Sequence, residues 1–168
     1  AADLREALAI KASPALHRAL ASVLENLGEH TAGAAEYAKA GKPTDWQALG
    51  DEAVRLFKQG KVAEADLMLR RAEGAYRGVH PTPLAWLDFQ RGLMRLRDGR
   101  HAEARRFFRS AHDRLPAYYL ATEHLAEVES LLGNHAEALK LYDGVIERTG
   151  LPEFLTARAG VLEAMGRK

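Results

Sequence analysis

Three neighbouring residues come closest to the spacing of a chemical site: Glu123, His124 and Glu127. On a helix, His124 and Glu127 stand one turn apart, the separation at which an imidazole and a carboxylate can share a metal ion. A helical metal centre is completed by a second such set, and the chain has no other His and Glu in this pattern. The same spacing suits solvated carboxylates on a helix surface, so no metal is assigned. His30, His101 and His135 each lie two residues after a glycine. They occupy equivalent places in successive units and cannot converge on one ion; each is expected to open a helix and pack on its turn. No nucleophile elbow, phosphate-binding glycine loop or zinc-protease motif is present. With no Cys, thiolate chemistry, thiolate zinc sites and disulfides are excluded. These residues give no catalytic group, cofactor or metal, and the reading is of a binding protein and not an enzyme.

Charge offers the next candidate. The 168 residues are 47% hydrophobic and 28% charged with a net charge of +1, enough apolar material for a continuous core and no global attraction to nucleic acid. The distribution is uneven. Residues 91–114 hold eight arginines against three acids, a balance of +5, and residues 115–147 hold six acids against Lys140, a balance of −5. Blocks of opposite sign side by side suggest either mutual neutralisation or head-to-tail association of copies. Arginines without interleaved exposed aromatics or glycines are a weak nucleic-acid signal, so no nucleic-acid partner is expected. No apolar run reaches the ~18 residues of a membrane-crossing helix, so no insertion is expected either.

The elements that must position these residues are announced by a repeated hexapeptide. Gly133–Ala138 reads Gly-Asn-His-Ala-Glu-Ala, Gly99–Ala104 reads Gly-Arg-His-Ala-Glu-Ala, and Gly60–Ala65 reads Gly-Lys-Val-Ala-Glu-Ala. With Gly28 and Gly166, the turn glycines are 32, 39, 34 and 33 residues apart. A period near 34 is that of stacked helix-turn-helix units, each too small to bury its apolar face alone. Apolar residues recur at helical spacing throughout and nowhere alternate with period two, so about ten helices and no strand are expected. Ser13-Pro14 and Thr44-Asp45 should start helices, and Gly41-Lys42-Pro43 should end one. Pro81 and Pro83 account for the long interval, with the next helix expected from Leu84 and a bend or changed stacking between the two halves. The domain is read as one solenoid over 1–168, with repeats near 14–43, 46–80, 85–116 and 119–150 and partial repeats at 1–13 and 152–168. Both ends fall inside a repeat and no initiator Met is present, which suggests a segment of something longer.

The pattern Leu125-Ala126, Gly133, Ala138, Tyr142, Val145, and again Gly92, Gly99, Ala104, Phe108, Ala111, Pro116, resembles the tetratricopeptide repeat family over nearly the whole chain. Ala65, Ala104 and Ala138 would let paired helices approach, with Leu69, Phe108 and Tyr142 filling the space beside them. The resemblance implies an all-α, right-handed α-solenoid whose first helices form a concave face for a partner's helix or extended peptide. Where some members grip terminal carboxylates with Lys and Asn, this chain has Arg18, Ser22, Gly50, Val54, Phe89, Leu93, Glu123 and Glu127, so that clamp is not carried over.

Within that frame the third unit departs from the pattern. Asp88, Arg91 and Arg95 hold places normally buried, while Trp86, Phe89, Leu93 and Leu96 form a stripe on the side the resemblance makes concave. One reading is an apolar groove, extended by Val54 and Phe57, with Arg97, Glu123 and Glu127 setting the partner's polarity. The other is that the proline insertion rotates the helix and the stripe is ordinary core. The expected function is a protein-binding scaffold with a protein or peptide partner. Alternatives are a self-associating, homo-oligomeric solenoid or the regulatory arm of a larger protein.

Overall fold

The computed structural model describes residues 1–42 and 44–166. Among these residues the chain forms ten helices and no strand: α1 (Ala2–Ile10), α2 (Pro14–Asn26), α3 (His30–Ala40), α4 (Trp46–Lys58), α5 (Val62–Ala75), α6 (Pro81–Arg97), α7 (His101–Arg114), α8 (Tyr119–Leu131), α9 (His135–Thr149) and α10 (Pro152–Ala164). Helix α3 ends at Ala40 with Gly41 at φ 70°, at the Gly41-Lys42-Pro43 stop; Pro43 itself lies outside the described residues, as do the last two residues of the chain.

The repeated glycines work by backbone conformation. Gly28, Gly60, Gly99 and Gly133 all have φ between 70° and 81°, a region costly for any side chain. In each turn the residue after the glycine donates its N–H to a carbonyl five residues back: Glu29 to Leu24, Lys61 to Leu56, Arg100 to Arg95 and Asn134 to Glu129, at 2.8–2.9 Å. These four identical closures are Schellman motifs, which satisfy orphan carbonyls and turn the chain into the second helix of each pair. Helix starts follow the expected chemistry. Ser13 Oγ accepts from Leu16 N at 3.2 Å, and Asp45 Oδ1 accepts from Ala48 N at 2.8 Å.

The helices pack as antiparallel pairs, α2 with α3, α4 with α5, α6 with α7 and α8 with α9, and α7–α8 and α9–α10 contacts continue the stack. Two core clusters result. One joins α4, α5 and one side of α6 through Leu49, Ala53, Leu56, Leu69, Leu87 and Met94. The other joins α6–α9 and Val161 through Phe89, Phe108, Leu125, Val128 and Tyr142. Ala65, Ala104 and Ala138 are fully buried beside Leu69, Phe108 and Tyr142. Phe108 lies so close to α6 that a Cβ added at Gly92 would meet its ring at 2.4 Å, and only glycine fits there.

The proline segment differs from expectation in one respect. Helix α6 begins at Pro81, not at Leu84, because Pro81 and Pro83 both fall in the first turn, where no intrahelical N–H is required. The break between the halves lies just before it. Tyr76 is extended at ψ 129°, and its hydroxyl donates to His80 O at 2.8 Å.

Candidate functional site

Helix α6 is buried on several sides, and its faces do different work. Trp86 and Gln90, one turn apart, line a concavity of about 630 Å³ whose other walls are α2, with Arg18 and Ser22, and α4, with Asp51, Val54 and Lys58. The walls of this groove therefore come from the first helices of three successive pairs. The Trp86 ring is half-buried and lies over Gly50, where an added Cβ would meet it at 2.6 Å. Its closeness to that glycine seats the indole in the groove floor.

The groove lining mixes charged groups with apolar ones, among them the aromatics Trp86 and Tyr37. Three cations, Arg18, Arg55 and Lys58, share the lining with three carboxylates, Glu25, Asp45 and Asp51. Arg18 stands 3.6 Å from Asp45, and Arg55 donates Nε to Glu52 at 2.8 Å while its guanidinium covers the Tyr37 ring at 5.1 Å. Burial pushes the Asp51 carboxyl above its ordinary value, partly offset by Arg18. Burial likewise raises the Tyr37 phenol. A groove so lined presents both signs of charge to a ligand and one flat apolar surface.

Of the eight residues expected to bind a partner, Trp86 is the one that lines this groove. Phe89 is only 6% exposed, so the expectation that it is a free anchor is corrected. Its ring packs on Phe108 at 5.8 Å, Tyr118 at 5.1 Å and His124 at 5.5 Å, filling the space where α6, α7 and α8 meet. Leu93 and Leu96 are half-buried against the same cluster. Phe57 is half-buried too, and Arg97 lies over its ring at 4.9 Å while donating to its carbonyl at 3.2 Å. That contact ties α4 to the end of α6. The stripe is thus largely core on its α8 side and groove at Trp86.

Glu123, His124 and Glu127 do come together, with ligand atoms within 4.8 Å of one another. His124 Nδ1 lies 2.9 Å from Glu127 Oε2, and the imidazole stacks on Phe108 at 5.3 Å. Burial alone would lower the His124 pKa, but the Glu127 hydrogen bond and the charges of Glu123 and Glu127 outweigh it and raise it. Burial is also the main reason the Glu123 carboxyl is raised. The arrangement holds a proton between imidazole and carboxylate beside the aromatic cluster. His30, His101 and His135 open α3, α7 and α9, each on its own turn.

The opposite side of α6 carries a feature that composition did not reveal. Asp88 and Arg91 are buried, 6% and 7% exposed, together with Asp66 of α5 at 7%. Arg95 Nη2 lies 3.2 Å from Asp66, Arg91 Nη1 donates to Glu73 at 2.8 Å, and Asp88 accepts from Ser110 at 2.7 Å and Arg114 at 2.8 Å. An ionic seam between α5, α6 and α7 thus occupies what an apolar contact would otherwise fill. The opposed charge blocks also pair internally, Arg109 with Glu129 at 2.8 Å and with Glu137 at 3.2 Å.

Helix pairs closed by identical glycine turns, stacked with their first helices around a groove, define an α-solenoid of tetratricopeptide-repeat type. The solved structure of PilF from Pseudomonas aeruginosa is 22% identical to this chain, with a TM-score of 0.78 over 97% of this chain and 74% of that one. Two structures of MamA, one of them from AMB-1, are 15% and 16% identical, with TM-scores of 0.67 and 0.63 over 92% and 86% of this chain and 83% of each of theirs. PilF and MamA are tetratricopeptide-repeat proteins, and the chain shares their fold. No family model and no curated protein matches the chain. Among the described residues, no helix is long and apolar enough to cross a membrane.

Proposed function

We propose that this solenoid is a protein-interaction scaffold that holds a helix or extended segment of a partner in the groove of α2, α4 and α6. The observation that carries the reading is the concavity of about 630 Å³ with Trp86 in its floor. A half-buried tryptophan in a concave, mixed apolar and polar lining is the usual composition of an interface hot spot, and the charges of both signs around it would fix the partner's direction. Nothing in this mechanism requires a reacting group, so the protein is read as non-enzymatic.

Affinity capture with the wild-type domain, followed by binding measurements on whatever is captured, tests this. Trp86→Ala should weaken the complex by more than about 2 kcal/mol, roughly 30-fold, with unchanged helix content. Val54→Arg, which obstructs the groove from the α4 wall, should do the same without touching the tryptophan. Retention of full affinity in both variants would remove the groove from the account.

Self-association is the second reading, favoured by apolar residues left exposed at both ends. Ile10 on α1 is 83% exposed and Leu155 on α10 is 53% exposed. Light scattering over a concentration series tests it directly: a constant monomer mass would dismiss it.

A further inference from the structure

Between α5, α6 and α7 the ionic seam lines a cavity of about 350 Å³, walled by Arg91, Arg95, Arg106, Glu73, Glu103 and Phe107 among others.

 This cavity is separate from the groove, because Trp86 and Gln90 face the groove while Arg91 and Arg95 lie on the other side of α6, as helical spacing requires.

Its walls hold more donors than the protein satisfies. The Arg91 side chain is only 9% exposed. Its Nη1 is committed to Glu73, while Nε and Nη2 are buried and make no hydrogen bond, with Asp66 Oδ1 standing 3.9 Å from Nε and closer, at 3.2 Å, to Arg95. Arg95 Nε is likewise without an acceptor, lying 3.4 Å from Glu103 but outside hydrogen-bonding geometry. Leaving buried charged donors unmade costs far more than one ordinary hydrogen bond. The two free nitrogens of Arg91 are the parallel pair along one edge of the guanidinium, the edge that grips a planar two-oxygen anion.

The carboxylates in the same wall already have donors of their own. Asp88 is held by Ser110 and Arg114, and Glu103 accepts from Arg100 Nε at 2.7 Å. Arg106, which is exposed, makes no ion pair among the described residues. Phe107 supplies an apolar wall, with the Arg91 guanidinium 5.7 Å from its ring centre. The acids nearby disfavour a dianion and leave room for a single negative charge.

We propose that the cavity between α5, α6 and α7 binds a carboxylate group, gripped side-on by Nε and Nη2 of Arg91, with Arg95 Nε and Arg106 as further donors. The group is either a free small carboxylate or the acidic side chain of a bound polypeptide. This site is independent of the groove and stands or falls separately from it.

The test follows arginine Nε–Hε signals by NMR while sodium acetate is titrated against sodium chloride at equal ionic strength. Arg91→Lys, which lacks the parallel edge, assigns the signal and should abolish the response. Acetate should shift the Arg91 signal saturably where chloride does not, and Arg106→Ala should weaken that response about tenfold. Because Arg106 is exposed, its variant keeps the test valid even where Arg91→Lys fails to fold. A short glutamate-containing peptide that saturates the signal at lower concentration than acetate assigns the ligand to a polypeptide; parity between them assigns it to a small carboxylate. No acetate-specific shift, a stronger response to inorganic phosphate, or an unchanged response in Arg106→Ala would each overturn the proposal.

Discussion

The α6–α7 pair is closed on its two sides by different chemistry. Toward α8 and α9 the contact is mainly apolar: Phe89, Phe108, Leu125 and Val128 are almost wholly buried, with His124 stacked on Phe108 at 5.3 Å, and one buried carboxylate, Glu129, is met by Arg109. Toward α5 an apolar contact through Leu69, Leu87 and Met94 is joined by an ionic one, with Asp66, Asp88 and Arg91 buried and paired across three helices. One repeat geometry thus accepts two kinds of seam. An apolar seam gains free energy for every methyl it covers. An ionic seam must first recover the desolvation of its charges, and its net gain depends on each charge being met. In a solenoid, stability is a sum of unit and junction contributions, so this difference should appear locally and not as a uniform property of the chain.

The largest expected effect comes from breaking the apolar side. Phe108→Ala removes the bulkiest fully buried side chain and should destabilise the domain by about 4 kcal/mol, lowering Tm by on the order of 10 °C in a thermal melt. The ionic side should respond slightly less to a single deletion. Asp66→Ala strips Arg95 and Arg70 of a buried partner and should cost about 3 kcal/mol in denaturant unfolding. The comparison sharpens when the charges are removed together. Replacing Asp66 and Arg95 with Leu and Met should recover most of that loss, whereas no second substitution of this kind should rescue Phe108→Ala.

The smallest effect concerns protons. His124, on the apolar seam, is raised above 6.5 because its hydrogen bond to Glu127 and two nearby carboxylates outweigh burial. His112, at the end of α7, is lowered from 6.5, chiefly by burial. The signs follow directly. The His124 contribution to stability is present below pH 6.5 and is lost as pH rises through its folded value, whereas that of His112 is present above pH 6.5 and is lost as pH falls through its folded value. NMR titration should therefore place the two midpoints on opposite sides of 6.5, and Glu127→Gln should move His124 downward without moving His112.

The repeated glycines made the fold legible. Each forces a left-handed turn at a fixed place, and four such turns predict paired helices before any contact is known. Arg18, Ser22 and Val54 fall in the groove as the family resemblance places them. Phe89 was not legible, because an apolar residue on a helix reads the same whether a partner or Tyr118 and His124 cover it. The ionic seam was hidden for a related reason. Asp88, Arg91 and Arg95 were visible as a departure from the pattern, but their partners Asp66, Glu73 and Arg114 lie on other helices, and pairing across helices leaves no periodic trace in the chain.

Native-state hydrogen exchange of the wild type and Asp66→Ala tests the difference between the seams most directly. Amides of α8 and α9 should be the best protected, and those of α5 should exchange through an opening of lower free energy. Asp66→Ala should speed exchange in α5 and the facing side of α6 while leaving α8 and α9 nearly unchanged. Equal protection across all of these helices, or an equal loss of protection throughout in Asp66→Ala, would contradict two distinct seams.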